Sequence, residues 1–539
     1  SRARGTTVIL EKVDLTVGPG DRVGVVGPNG VGKTTLLRIL AGLDPADNGR
    51  VTRTPAALTV GYLPQETAAD APPGETLRAS LARRTGVAEA EAALERAGEA
   101  MAARPDDAAA AAGYSDALER YLALGGPDLD ARSGAVGADV GLPADRLDVP
   151  VASLSGGQQA RAALAAILLA NFDIFLLDEP TNDLDFAGLR RLEEFVVGAP
   201  GGVVVISHDR AFLDRTVTEV VELDEHLHTS TRFGGGWAAY LEARAVARRH
   251  AEEEHDRYVT DRSQLLARAQ TQRQWAITGA AKAKKRPSDN DKAQRDFRLN
   301  KTEKQASKLR ITEKRIERLE PADKPWEGWQ LQLVFKAARR SGDVVARLDR
   351  AVIEQGSFRL GPLSLEIGWA ERVAIVGPNG SGKTTLLRAL LGEVPLAAGE
   401  RWLGPGVVVG QLDQGRRHFL GDRVLLTAFT AATALLPQEA RSLLAKFGLG
   451  PRHINRRSAS LSPGERTRAV LALLMATGVN CLVLDEPTNH LDLPAIEQLE
   501  EALLGYDGTL LLVTHDRALL ERVKFTRTIE LGVGAQSGW

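Results

Sequence analysis

The chain has 539 residues, of which 43% are hydrophobic and 26% charged, with a formal net charge of −2. The length exceeds one ordinary core and suggests three or four domains, and the balanced charge advertises no polyanion partner for the chain as a whole. The single Cys481 excludes an internal disulfide and a multi-cysteine metal site, and no apolar run reaches about 18 residues, which excludes a membrane-spanning helix. No secretion signal is visible, so a cytoplasmic location is expected. The chain begins at Ser1 rather than Met, and residues are expected to have preceded it.

The first element is the apolar run Val23 to Val26, which reads as a buried strand. It leads into Gly27-Pro28-Asn29-Gly30-Val31-Gly32-Lys33-Thr34-Thr35 and then a helical pattern. A Gly-rich turn between strand and helix aims backbone N–H groups and the positive end of the helix dipole at phosphates. Lys33 would reach the β- and γ-phosphates, and Thr34 would hold Mg²⁺. Gln65, in Gly61-Tyr62-Leu63-Pro64-Gln65, is placed to sense metal and water.

Thr85 to Gly113 is rich in Ala and Glu and reads as helix, breakable at Pro105-Asp106-Asp107. A second helical run is expected over Ser115 to Leu124. These helices are either an enlarged subdomain packed on its own module or a projecting hairpin.

Leu154-Ser155-Gly156-Gly157-Gln158 opens another helix. Ser is a good N-cap, and small residues leave a bare helix N-terminus, a second phosphate site. The run Ile174 to Leu177 is a buried strand ending in Asp178, a candidate Mg²⁺ ligand; Glu179 follows, placed to polarise an attacking water. His208, after the strand Val203 to Ile206, is placed to meet the γ-phosphate or that water.

Residues 241–320 carry 21 Lys and Arg against 13 Asp and Glu, and almost no Gly or Pro before Gly279 and Pro287. Two long helices are expected, near 240–277 and 292–320, with a turn at Thr278–Asp291. The positive excess concentrates at the tip and the start of the return helix, where Lys282, Lys284, Lys285, Arg286 and Lys292 lie near Trp275. Basic residues beside an aromatic suit an RNA backbone with unpaired bases. A solvated coiled coil is the other reading of such a charge run, and Trp275 could instead pack the turn.

The remainder repeats the first half. Gly377-Pro378-Asn379-Gly380-Ser381-Gly382-Lys383-Thr384-Thr385 follows Val373 to Val376 at an offset of 350, and Gln414 follows at 349. Leu461-Ser462-Pro463-Gly464-Glu465, Asp485-Glu486-Pro487 and Thr514-His515-Asp516 all follow at 307. Apart from a one-residue step before the Gln, the register changes only across the helical insert, by 42 residues. Lys383, Thr384, Gln414, Asp485, Glu486 and His515 therefore take the roles of their counterparts, so each half holds the parts for phosphoryl transfer to water. Each half also has two phosphate sites where one suffices. Head-to-tail pairing of the halves explains this: each nucleotide would lie between the Lys loop of one half and the Ser-Gly helix of the other.

These motifs resemble those of the ATP-binding cassette ATPases, over about 430 of the 539 residues. Two cassettes, no membrane segment and a long charged helical linker, with Asp178-Glu179-Pro180-Thr181-Asn182 and Asp485-Glu486-Pro487-Thr488-Asn489-His490, resemble the ABC-F subfamily. The resemblance implies an α/β fold of two P-loop cassette domains, at 1–240 and 321–539, joined by a basic helical hairpin at 241–320. It implies ATP and Mg²⁺ as cofactors, and an arm formed by the insert at about 84–128. It also implies a single chain whose cassettes pair with each other, without a membrane or a transmembrane partner. The partner it implies is the ribosome. The linker would enter near the E site, and its tip would meet large-subunit rRNA and P-site tRNA near the peptidyl-transferase centre. Family members include translation factors and proteins that displace ribosome-targeting antibiotics. The basic, Trp-containing tip favours resistance; the arm favours a housekeeping role. A transporter motor is a more distant alternative, against which the basic hairpin stands. Three departures are visible: Asp183 where the family has His, Pro463 in the second Ser-Gly motif, and no aromatic to stack on adenine ahead of Gly27, where Arg2 and Arg4 stand. Phe358 is the candidate ahead of Gly377.

Overall fold

Short runs of Val, Ile and Leu form parallel strands buried on both faces, and these strands set the two catalytic frameworks. In the computed structural model the residues described are 1–4, 7–56, 58–64, 71–225, 227–284, 307, 310–319, 340–356, 358–412, 419–489 and 491–532. They fall into two units, Ser1–Tyr240 with Gln330–Trp539, and Leu241–Trp329.

The first cassette opens with an antiparallel ribbon, β1 (Arg2–Arg4) and β2 (Thr7–Leu10). Then come β3 (Arg22–Val26), α1 (Lys33–Ala41), β4 (Val60–Leu63), and helices α2 (Leu77–Arg84), α3 (Val87–Ala103), α4 (Ala108–Ala123), α5 (Leu129–Asp139) and α6 (Gly156–Leu169). β5 (Ile174–Asp178), α7 (Phe186–Gly198), β6 (Gly202–Ile206), α8 (Arg210–Thr216), β7 (Glu219–Leu223) and β8 (Ser230–Gly234) complete it. The sheet order is β4-β5-β6-β3-β7-β8, parallel except for β8. Every residue of β3, β5 and β6 is buried.

The insert forms a helical hairpin. α3 buries only Val87 and Ala90, near its start, and α4 buries no residue, so the pair packs at its base and is solvated beyond it. Tyr114 lies against Gly98 between the two helices. The expected break at Pro105 falls between them, but the helical piece expected after it and the run expected from Ser115 form one continuous helix, α4. Asp107 caps it, accepting from the Ala109 N–H at 2.9 Å, and five alanines, the strongest helix formers, follow.

α9 (Gly236–Lys284) follows β8 and runs 49 residues, roughly 74 Å. Trp237 and Tyr240 at its start are buried. The turn expected at Thr278 is displaced: the helix continues through Gly279 to Lys284. One Gly costs a helix only about 1 kcal/mol, and Ala276, Ala280, Ala281 and Ala283 surround it in sequence. α10 (310–317) lies beside α9, with the Thr312 hydroxyl donating to Gln272 Oε1 at 2.9 Å.

The second cassette has β9 (Val344–Gln355), β10 (Phe358–Gly368), β11 (Arg372–Val376), α11 (Lys383–Leu391), β12 (Ala398–Leu403), β13 (Val409–Leu412), α12 (Leu425–Thr433), α13 (Pro437–Lys446), α14 (Pro451–Ile454) and α15 (Pro463–Thr477). β14 (Cys481–Asp485), α16 (Leu493–Leu504), β15 (Thr509–Val513), α17 (Arg517–Arg522) and β16 (Arg527–Glu530) follow. Its parallel sheet, β13-β14-β15-β11-β16, reproduces the first, and an antiparallel sheet β10-β9-β12 stands beside it. Among the described residues no helix is long and apolar enough to cross a membrane.

Candidate active sites between the cassettes

Each phosphate loop leaves the C-terminal end of a central strand, β3 or β11, and enters α1 or α11. The turns need glycine: Gly27, Gly30 and Gly32 have φ of 147°, 86° and 108°, and Gly377, Gly380 and Gly382 repeat this at 150°, 85° and 93°. A Cβ on Gly27 would meet the Leu223 carbonyl at 2.8 Å. Gly32 and Gly382 cap their helices without a side-chain hydrogen bond, leaving the N-terminal N–H groups for an anion. Lys33 Nζ donates to the Gly27 carbonyl at 2.7 Å and the Pro28 carbonyl at 3.2 Å; Lys383 does the same to Gly377 and Pro378 at 2.7 and 3.1 Å. Burial pulls both ammonium groups below the usual lysine range, opposed by Glu179 in one site and Glu486 in the other. Thr35 and Thr385 follow in the first turns of the two helices.

The metal candidates meet as an oxygen set. The Thr384 hydroxyl donates to Asp485 Oδ2 at 2.7 Å, and Thr34 hydrogen-bonds Asp178 in the twin site. A hydroxyl and a carboxylate fit Mg²⁺, which keeps waters and takes phosphate oxygens for its remaining positions. Tyr62 adds an O–H bond to Asp178 Oδ2 at 3.1 Å. Sequence reasoning missed Tyr62, whose repeat mate is Gln411.

Glu179 and Glu486 sit just past the strand ends with φ of 50° and 48°, a left-handed backbone rarely adopted by glutamate. Their N–H groups still donate to the neighbouring strands, at Ile206 and Val513. Burial pushes the Glu179 carboxyl up to about 7 and that of Glu486 up to about 8. His208 Nε2 lies 3.1 Å from Glu179 Oε1, and His515 Nε2 lies 3.5 Å from Glu486 Oε1. Burial, then Lys383, holds His515 down at about 3, so its imidazole is neutral near pH 7. A buried carboxyl poised near neutrality beside a candidate metal-ligating Asp is suited to take a proton from water.

The two cassettes meet at these loops. The Asn379 N–H donates to Asp185 Oδ2 at 2.8 Å, and the repeat-related Asn29 N–H donates to Asp492 Oδ2 at 3.1 Å. Each Asp also caps its own helix, α7 or α16. A Cβ on Gly157 would stand 3.2 Å from Asn379 Cβ. A cavity of roughly 410 Å³ is lined by Gly156 and Gly157 of one cassette and by Gly380, Lys383, Glu486 and His515 of the other. Ser155 and Ser462 cap α6 and α15 in capping boxes with Gln158 and Glu465; Pro463 occupies the first turn of α15 without disturbing it, and Gly464 behind it is buried.

Further interface residues were not singled out from sequence. Glu500, fully buried, accepts from Arg210 of the first cassette and from Arg522 of its own at 3.1 Å. Glu193 accepts from Arg517 of the second cassette at 2.6 Å and from its own Arg215 at 3.2 Å. All three pairs of residue types recur at the 307 offset, which is the signal that could have found them. Phe186 of α7 packs edge-on against the His515 ring, with centroids 5.1 Å apart. Phe358 lies against the second loop, where a Cβ on Gly382 would come within 2.5 Å of its ring. Ile9 takes that place at Gly32, so the position to compare in the first cassette is Ile9, not Arg2 or Arg4.

Gln65 and Gln414 lie outside the described residues, as do Lys285, Arg286 and Lys292. Lys282 and Lys284 fall in the last turns of α9, with side chains outside the description; Trp275 is 57% exposed on that helix.

The family model described as ABC transporter matches residues 10–182 and 360–489. The tylosin resistance ATP-binding protein TlrC of Streptomyces fradiae is 39% identical, over 98% of this chain and 96% of its own. The chain belongs to the ABC-F branch of the ATP-binding cassette family. The energy-dependent translational throttle protein EttA of Mycobacterium tuberculosis is 32% identical over 97% of this chain and 88% of its own. An archaeal ribosome recycling factor, aABCE1, solved with the stalk protein aP1, matches 97% of this chain and 85% of its own with a TM-score of 0.57; at 20% identity it speaks for the fold alone. This ABC-F protein is an ATP hydrolase.

Proposed function

We propose that this ABC-F ATPase binds the ribosome near the E site and reshapes the P-site tRNA and peptidyl-transferase region, conferring resistance to ribosome-targeting antibiotics. The observation that carries this is the likeness to the tylosin resistance protein across nearly the whole of both chains, including the linker. The long α9 with its exposed Trp275 supports it, because a helix of that length presents an aromatic far along its course. In this reading Lys33 and Lys383 bind phosphates, and Thr34 with Asp178 and Thr384 with Asp485 hold Mg²⁺. Glu179 and Glu486 take the water's proton, with His208 and His515 beside them. Ser155, Gly156 and Gly157 serve the nucleotide on Lys383; Ser462 and Gly464 serve the one on Lys33. The basic tip residues neutralise rRNA or tRNA phosphates. ATP binding closes the cassettes and hydrolysis lets them part.

A second reading, a translation factor, is favoured by the solvated α3–α4 hairpin and by the likeness to the throttle protein. Drug susceptibility of a sensitive host expressing the chain separates the two. Resistance to tylosin or another ribosome-targeting class, lost in the Glu179→Gln, Glu486→Gln chain, supports the first. Unchanged susceptibility with altered translation rates supports the second.

A further inference from the structure

Among the differences between the two composite sites, one changes a charge: Asp183 follows Asn182, whereas His490 follows Asn489. Asp183 has a left-handed backbone, φ 60°, and engages the opposite cassette twice. Its carbonyl accepts from Asn379 Nδ2 of the second phosphate loop at 2.7 Å, and its Oδ1 accepts from Asn489 Nδ2 at 3.2 Å. Asn489 belongs to the turn that carries Glu486, to whose carbonyl its N–H donates at 3.4 Å. Asp183 lines the same cavity as Lys383, Thr384 and Glu486, and its charge is among those acting on Glu486. It is also solvent-exposed, so water and salt screen that charge without cancelling it. The triphosphate this cavity would take is still negative with one Mg²⁺ bound. A carboxylate on the wall opposes such a ligand; the residue at the matching position of the sequence repeat, His490, carries no negative charge.

We propose that Asp183 is a specificity-determining residue for the site across the interface, where its carboxylate weakens the hold of the Lys383 site on Mg·ATP. The Lys33 site has no acid at the matching position, so the two sites of one chain differ in nucleotide affinity by design of this residue. The inference rests on the reading of both phosphate-loop sites as nucleotide sites. Asp183→Asn removes the charge and keeps an oxygen for Asn489; Asp183→Ala removes both. With the screening of bulk water, which the exposure of Asp183 allows, one like charge about 4 Å away changes affinity about fivefold, and proportionately less at greater distance.

The test uses the full chain in two backgrounds. Lys33→Ala leaves the Lys383 site, and Lys383→Ala leaves the Lys33 site. Equilibrium binding of a non-hydrolysable ATP analogue with Mg²⁺ is measured by calorimetry at low and high salt. Asp183→Asn is expected to tighten binding by up to about fivefold in the Lys33→Ala background, with the gain shrinking at high salt, and to have a smaller effect in the Lys383→Ala background, where Asp183 borders only the cavity beside Asp178 and Glu179. Asp183→Ala tightens binding in the same background by a similar or smaller factor. Equal tightening in both backgrounds, or none in the first, overturns the proposal. So does weakening by Asp183→Ala with no effect of Asp183→Asn, which would make the residue a hydrogen-bonding prop alone. Failure of the Lys33→Ala parent to bind the analogue would instead remove the site reading, and the proposal with it.

Discussion

The buried Glu500 gives the sharpest energetic prediction about how the cassettes hold together. Glu500 is 0% exposed and takes two guanidinium groups, Arg210 from across the interface, 14% exposed, and Arg522 from its own cassette, 45% exposed. Arg210→Ala leaves Glu500 one partner, so the loss is that of a charge-assisted bond, about 1.5–3 kcal/mol. Glu500→Ala strands Arg210 in a largely buried place while Arg522 turns to water, a cost of about 3–5 kcal/mol. The double variant leaves neither charge stranded at the interface, so it should cost less than the sum by about 1.5–3 kcal/mol. For a unit of 150–250 residues, 1 kcal/mol moves Tm by roughly 2–4 °C. Scanning calorimetry of the four chains should thus show single losses of several degrees and a clear shortfall from additivity in the double. Strict additivity, or an Arg210→Ala chain as stable as the parent, would refute the idea that this pair joins the cassettes.

Other outcomes follow from the same geometry. Glu179→Gln with Glu486→Gln should keep Mg·ATP binding and reduce turnover by about two to four orders of magnitude, measured as phosphate release; normal turnover would remove both residues from the chemistry. Gly157→Val should impair turnover in a Lys33→Ala background more than in a Lys383→Ala background, because the new side chain presses on Asn379 3.2 Å away. Burial pushes Asp516, the N-cap of α17, up to about 6, with the facing Asp209 adding to it. Its folded state binds a proton more readily than its unfolded state, so stability falls as pH rises from about 4 to about 6 and the penalty stays above that. Asp516→Asn, still a good N-cap, should therefore raise Tm at pH 7.5 and lose its advantage near pH 4. An advantage independent of pH would refute the assignment.

The motif chemistry was legible because each part is local: a Gly-rich turn after a Val run, an acid pair after a Leu run, a Ser ahead of small residues. The buried β3, β5 and β6 follow from those apolar runs, whereas their order in the sheet is set by tertiary pairing that no single run encodes. The end of α9 was misplaced because Gly279 reads as a breaker in a window, while its alanine neighbours sustain the helix. The continuity of α4 was missed because Gly113 reads as a stop, while the Asp107 cap and the five alanines after it start a helix that runs through it. The interface residues were illegible one by one. Glu193, Arg210 and Phe186 look like ordinary surface or helix residues until two copies of the module face each other. Ile9 and Phe358 are matched by what they touch, Gly32 and Gly382, rather than by spacing.

The central claim, that nucleotide binding between the cassettes drives engagement with the ribosome, is tested most directly by co-sedimentation of the Glu179→Gln, Glu486→Gln chain with ribosomes. Retention is expected with Mg·ATP, little without nucleotide, and the ATP-dependent fraction should vanish on adding Lys33→Ala and Lys383→Ala. Retention that ignores nucleotide, or no retention under any condition, would contradict that claim.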